Sequence, residues 1–142
     1  MSRKYYFILL KDSIMIGYVM VGANDLEYST AFYDAILDPL GLARVETLDT
    51  YAAYAPLDKP AEIEFYVTLP INQQAASFGN GSMIALVAES RLAVDGFHSI
   101  ALGRGAIDEG SPGPRPADGE IYYAYVRDPD VNKICAHTNQ SG

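Results

Sequence analysis

The chain has 142 residues, enough for one domain with a real core or for two half-size units sharing one. With 49% hydrophobic and 20% charged residues it has the make-up of an ordinary globular protein, and a formal charge of −8 leaves no basic face for nucleic acid or an anionic membrane. A single cysteine excludes an internal disulfide and any multi-cysteine zinc site, and fits a reducing, cytoplasmic setting.

Residues 1–14 imitate a secretion signal, with Ser2-Arg3-Lys4 before an apolar run from Tyr5 to Leu10. The run is too short, and Lys11-Asp12 interrupts it where a cleavage site should follow, so neither signal nor membrane span is expected. Met15 is a candidate second start, which makes residues 1–14 an N-terminal extension of a domain over 15–142, with an added edge strand as the simplest structure for it.

A strand is predicted over 16–21, then a helix opening at Asn24 as N-cap with Glu27 at the capping-box position. Leu26, Phe32, Tyr33, Ile36, Leu37 and Leu40 give this helix one apolar face, and Pro39 and Gly41 stop it. Three β-like runs follow, over 43–48, 51–55 and 63–69, separated by turn residues. After Gly79-Asn80-Gly81 the same order returns. A strand over 82–88 leads to a helix capped at Ser90 with Val94, Phe97 and Ala101 inward, and then to runs over 106–109, 121–127 and 133–138. Ala43-Arg44-Val45-Glu46 after the first helix answers Ala106-Ile107-Asp108-Glu109 after the second. The unit is βαβββ, present twice, as repeats 15–78 and 79–138. Each copy alone leaves one sheet face bare, so two side by side form an α+β domain with one curved mixed sheet around a cleft and helices outside.

The last hairpin carries the most information. Two runs of β-formers flank Asp128-Pro129-Asp130-Val131-Asn132, where Pro129 pre-sets a turn and the aspartates can bond backbone N–H groups. Alternation puts Cys135 and His137 on one strand face and Ile134 and Ala136 on the other.

Asp128-Pro129-Asp130-Val131-Asn132-Lys133-Ile134 resembles the signature near the end of glyoxalase/bleomycin-resistance/extradiol-dioxygenase proteins, the vicinal oxygen chelate superfamily. Further phrases resemble its bacterial glyoxalase-like subgroup: Gly17-Tyr18-Val19, Asn24-Asp25-Leu26, Phe32-Tyr33, Phe78-Gly79-Asn80-Gly81-Ser82, Phe97-His98 and Gly113-Pro114-Arg115. In this order and spacing they specify a fold, not a reaction. The family turn has glycine where Val131 stands, so either Asn132 takes the left-handed conformation or the turn is remodelled.

The resemblance implies a central divalent metal that polarises vicinal oxygens of a substrate. Its four ligand positions fall on Tyr18, Glu64, Met83 and Cys135, of which only Glu64 is an ordinary hard-metal donor. The run over 63–69 can slide, which leaves the register of Glu64 open. Cys135, His137 and Glu64 form a conceivable soft-ion site, but Cys135 reads first as a small buried hydrophobe and His98 as a half-buried histidine bonded to a loop carbonyl.

The cleft is therefore expected to be metal-free, with no cofactor and with aromatic and apolar walls. Eleven tyrosines and no tryptophan support this. Tyr18, Met20, Met83 and Ala85 would line the floor and Tyr123 or Tyr122 the wall, with Arg115 reaching from a loop over 110–116 towards an anionic ligand. The reading is a glyoxalase-like protein binding a small organic molecule, a homodimer through sheet edges or helices, with no nucleic-acid or membrane partner. The alternatives are a metal-dependent lyase or isomerase of the glyoxalase type using Glu64, and a bleomycin-resistance-type protein sequestering a drug.

Overall fold

A computed structural model describes residues 15–141; the expected N-terminal extension, residues 1–14, lies outside them. The first unit runs β1 (Val19–Gly22), α1 (Leu26–Leu37), a 3₁₀ turn (Asp38–Leu40), β2 (Leu42–Thr47), β3 (Tyr51–Pro56) and β4 (Phe65–Thr68). The second runs β5 (Ile84–Val87), α2 (Arg91–Gly103), β6 (Ile107–Pro114), β7 (Tyr122–Arg127) and β8 (Lys133–Thr138). The eight strands fall into two hydrogen-bonded sets of identical design, β1-β4-β3-β2 and β5-β8-β7-β6, each with one parallel pair and two antiparallel ones.

Both helices lie on the same side and share one core. Phe32, Tyr33, Ile36 and Leu37 of α1 meet Val94, Phe97 and Ala101 of α2 over Phe65 and Val67 of one sheet and Val126 and Ile134 of the other. Alanines at 52, 124 and 136 let the helices sit low on the central strands. Helix α1 begins one residue later than expected, because Asp25 is its N-cap and accepts from the Tyr28 N–H. The 3₁₀ turn over Asp38–Leu40 and Gly41 at φ 79° end it where Pro39 and Gly41 foretell.

Asn24 is released for another task. The turn of the last hairpin folds across onto the first unit, where Asp130 accepts from the backbone and side-chain amides of Asn24 and from the Ser29 hydroxyl. Beside it Asp128, only 3% exposed, accepts from the Tyr33 hydroxyl at 2.5 Å, from the N–H of Asp130 and Asn132, and from the Asn132 side chain. Asn132 in turn donates to the Gly22 carbonyl of β1. Burial outweighs these donors and holds the Asp128 carboxyl above the usual carboxylate range, while the Tyr33 phenol is pushed well up by burial and by Asp128. The hairpin is thus the clasp between the two units.

Neither expectation for the turn is met, because Val131 itself takes the left-handed conformation at φ 71°. Its N–H bonds the Asp128 carbonyl and its own carbonyl accepts from Arg127, so the surrounding bonds over-determine the strained residue.

Strand β6 also differs from expectation. The segment read as a loop over 110–116 stays paired to β7 through Gly113–Tyr123 and Pro114–Tyr122, with shifts of register around Gly110. Prolines are tolerated because β6 is an edge strand with no outer partner to supply. In each unit a side-chain pair spanning ten residues ties the helix to the strand just before its bulge, the Asp34–Arg44 ion pair at 2.9 Å and the His98–Asp108 hydrogen bond at 3.0 Å. His98 is therefore buried and bonded to a carboxylate, not to a loop carbonyl.

Two substitutions test the clasp. Asp128→Ala strands the buried donors of Tyr33 and Asn132 and is expected to cost about 3 kcal/mol in chemical denaturation. Val131→Gly relieves the left-handed strain and is expected to stabilise the same protein by roughly 0.5–1 kcal/mol.

Candidate functional site

The helices cover one face of each sheet, and the opposite faces stay open. On the first sheet the ladder places Met20 level with Tyr66, and Gly22 and Tyr51 level with Thr68. Tyr66 receives Tyr18 edge-on at 4.9 Å and Tyr51 at 5.4 Å, which makes an aromatic cluster. Tyr18 and Met20 remain 58% and 50% exposed, left half open by the described residues. The bulge between Arg44 and Glu46 turns Glu46 onto this face, opposite Ala53. Burial, followed by the hydrogen bond and charge of Glu46, holds the Tyr51 phenol up. Against this face lies a cavity of about 870 Å³, lined by Met20, Tyr51 and Thr68 and walled by Leu69, Pro70 and Ile71 of the segment between the units. That is within the size of small-molecule sites.

The second open face differs in character. Strand β8 contributes Lys133, Cys135 and His137, and β7 contributes Tyr123, Tyr125 and Arg127 opposite them. Tyr123 stacks on Tyr125 at 5.8 Å and on His137 at 5.7 Å, whereas Tyr122 points to the helix side and donates to Asp95. Register thus selects Tyr123 over Tyr122 for the open face. Arg127 is paired with Glu109 at 2.6 Å. Arg115 comes from the end of β6, with its guanidinium 5.3 Å from the Tyr125 ring centre.

Met20 and Met83 come to one place. They share a cavity of about 280 Å³ where the sheets adjoin, with Phe78, Ile84, Asn132 and Lys133. Tyr18, Glu64, Ala85, Cys135, His137, Tyr123 and Arg115 lie on the open faces but outside its lining. Met20 and Ala85 are the second residues of β1 and β5, and their ladder partners are Tyr66 and Cys135. Glu64 sits one same-face step earlier, level with Lys133. Tyr51, Tyr66, Tyr125 and Lys133 are residues that sequence reading left out of the site; strand parity marks the face of each but not its level along the strand.

The donor chemistry does not fit a hard divalent ion. Among the described residues no three His, Cys, Asp or Glu lie close enough to hold one. Cys135 is fully buried as the partner of Tyr125, and His137 is engaged with Tyr123. Burial pushes the Cys135 thiol up to about 11, against the pull of Arg115 and Lys133. A shift of this size leaves roughly a hundredth of the ordinary thiolate. Native protein is accordingly expected to react with iodoacetamide at pH 8 at least about a hundredfold more slowly than urea-unfolded protein, read by intact mass.

The sequence matches no family model and no curated protein. Among solved structures it is similar to a glyoxalase/bleomycin resistance protein from Albidiferax ferrireducens T118, with 42% identity, 88% of this chain and 98% of that chain covered, and a TM-score of 0.78. At lower identity the fold is shared with a glyoxalase-related enzyme from Fulvimarina pelagi (20% identity, 87% of each chain, TM-score 0.65) and with the genomically encoded fosfomycin resistance protein FosX from Listeria monocytogenes (18%, 88% and 93%, TM-score 0.63). The two βαβββ units and the level of identity to the first of these place the chain in the glyoxalase/bleomycin-resistance family.

Proposed function

We propose that this protein binds a small organic molecule on the open faces of its two sheets, without a metal ion. The observation that carries the reading is the cavity of about 870 Å³ beside Tyr51, the member of the aromatic cluster that lines it, with Met20, Leu69, Pro70 and Ile71 as apolar wall and Asn24, Thr50, Gln73 and Gln74 as polar groups. The donor set supports the metal-free part, since Tyr18 and Met83 are poor ligands for a hard cation and Cys135 is a buried, protonated thiol. The phenolic hydroxyl of Tyr51, backed by Tyr66, would orient the ligand, and Met20 would adapt to its shape. A single free thiol suits a reducing, cytoplasmic setting.

A second reading rests on the exposure of the same faces. Tyr18, Met20 and Val87 form apolar surface that a second copy would cover, giving a homodimer that sequesters a drug between subunits. The formal charge of −8 favours a cationic one. A glyoxalase-type lyase or isomerase would instead centre on Glu64 and a bound ion.

Metal analysis of protein purified without chelator, together with thermal shift against small acids, thiols and cationic antibiotics, separates these readings. We expect substoichiometric metal and a raised melting temperature with at least one class, weakened about tenfold in affinity by Tyr51→Ala. Stoichiometric divalent metal lost in Glu64→Gln would overturn the metal-free reading in favour of the lyase. Stabilisation confined to cationic antibiotics, with a dimer by analytical ultracentrifugation, would favour sequestration.

A further inference from the structure

The second open face holds two cations outside any ion pair among the described residues, with Glu109, itself paired to Arg127, near enough to feel the charge of Lys133. Arg115 has no carboxylate within ion-pair distance among the described residues, and neither does Lys133, in a chain with eighteen acidic residues to ten basic. The arginine is nevertheless held in place. Its Nη2 donates to the Ser111 carbonyl at 2.9 Å and its Nη1 to the Gly113 carbonyl at 3.2 Å, so two of its five N–H groups are engaged and three remain.

The surroundings are shaped to this side chain. A Cβ on Gly110 would lie 3.0 Å from Arg115 Nη2 and 2.7 Å from Tyr125 Cδ2, so only glycine leaves room for both. Asp108 fixes that bulge by accepting from the Gly110 N–H and the Ser111 hydroxyl, and His98 fixes Asp108 from the helix. Arg115 and Lys133 then stand 5.3 and 5.4 Å from the centre of the same Tyr125 ring. Both also lie near enough to the buried Cys135 thiol for their charges to act on it. Beside them Tyr123, Ala85 and Val87 offer aromatic and apolar surface.

Building on the reading of the open faces as a ligand site, we propose that Arg115 and Lys133 form its anion subsite, and that the ligand is an organic oxyanion with an apolar body. The three remaining N–H groups of the guanidinium can donate to the oxygens of a carboxylate or phosphate, and the ammonium supplies a second point charge. The apolar body would rest on Tyr123 and Ala85.

The test is an NMR titration of the full chain with benzoate and phenyl phosphate, with benzyl alcohol and benzamidine as neutral and cationic controls. Both anions are expected to bind and the controls to miss this face; whichever anion binds more tightly names the headgroup. Arg115→Met and Lys133→Met are each expected to weaken anion binding at least about tenfold, Arg115→Lys to recover only part of it, and added salt to weaken it further. The spectrum reports folding directly, and if Arg115→Met is unfolded, Lys133→Met alone decides. Anion affinities unchanged by both substitutions, or benzamidine binding as well as benzoate at Tyr125, would overturn the subsite while leaving a small-molecule site in place. Binding by none of the four probes, combined with no response in the thermal-shift panel, would remove both.

Discussion

Two aspartates in one turn hold the halves of this protein together. Asp128 and Asp130 belong to the second unit, yet the Asn24 amides, the Ser29 hydroxyl and the Tyr33 phenol all lie in the first. The turn therefore bonds the groups around the start of the opposite helix, where backbone donors lack partners within the helix and a carboxylate is favoured by the helix dipole. The shared apolar core supplies most of the attraction between the units but is not directional. The clasp adds directional bonds between the units beside the cavity that Met20 and Met83 both line. A raised Asp128 carboxyl is the expected cost of placing this bond network in a buried position.

The duplicated backbone carries unlike chemistry on its two open faces. The first sheet presents a phenol cluster, a methionine and acidic Glu46, and the second presents stacked aromatics with Arg115, Lys133 and His137. The helix-to-bulge side-chain pairs show the same contrast, since the helix supplies the carboxylate in the first unit and the imidazole in the second. Two similar scaffolds can thus offer a ligand an electron-rich wall and a cationic one within a single domain.

Much of the fold was legible because the βαβββ order recurs and each break has a local cause. Gly41, Ser90 and the Gly79-Asn80-Gly81 turn act as punctuation through backbone physics that tertiary contacts do not overrule. The misreadings have equally local causes. Asn24 and Asp25 are adjacent and both cap well, and only the distant Asp130 decides between them. Pro112 and Pro114 imitate a loop because edge strands accept what central strands refuse. Val131 sits left-handed because five bonds around Asp128 settle the turn before its own preference counts. In the site, alternation identified the correct faces for Tyr18, Met20, Met83 and Cys135. It could not show that Tyr66, rather than Glu64, occupies the level of Cys135, since that depends on pairing between strands far apart in sequence.

Strand β6 has one more property. It forms the outer border of the second sheet, and Pro112 and Pro114 remove two amide hydrogens from a row that would otherwise be free to recruit a foreign strand. The irregular register around Gly110 breaks that row again. Any assembly of this chain is thereby steered away from continuing its second sheet across that border, and contact between copies is left to surfaces where side chains, not backbone amides, make the recognition.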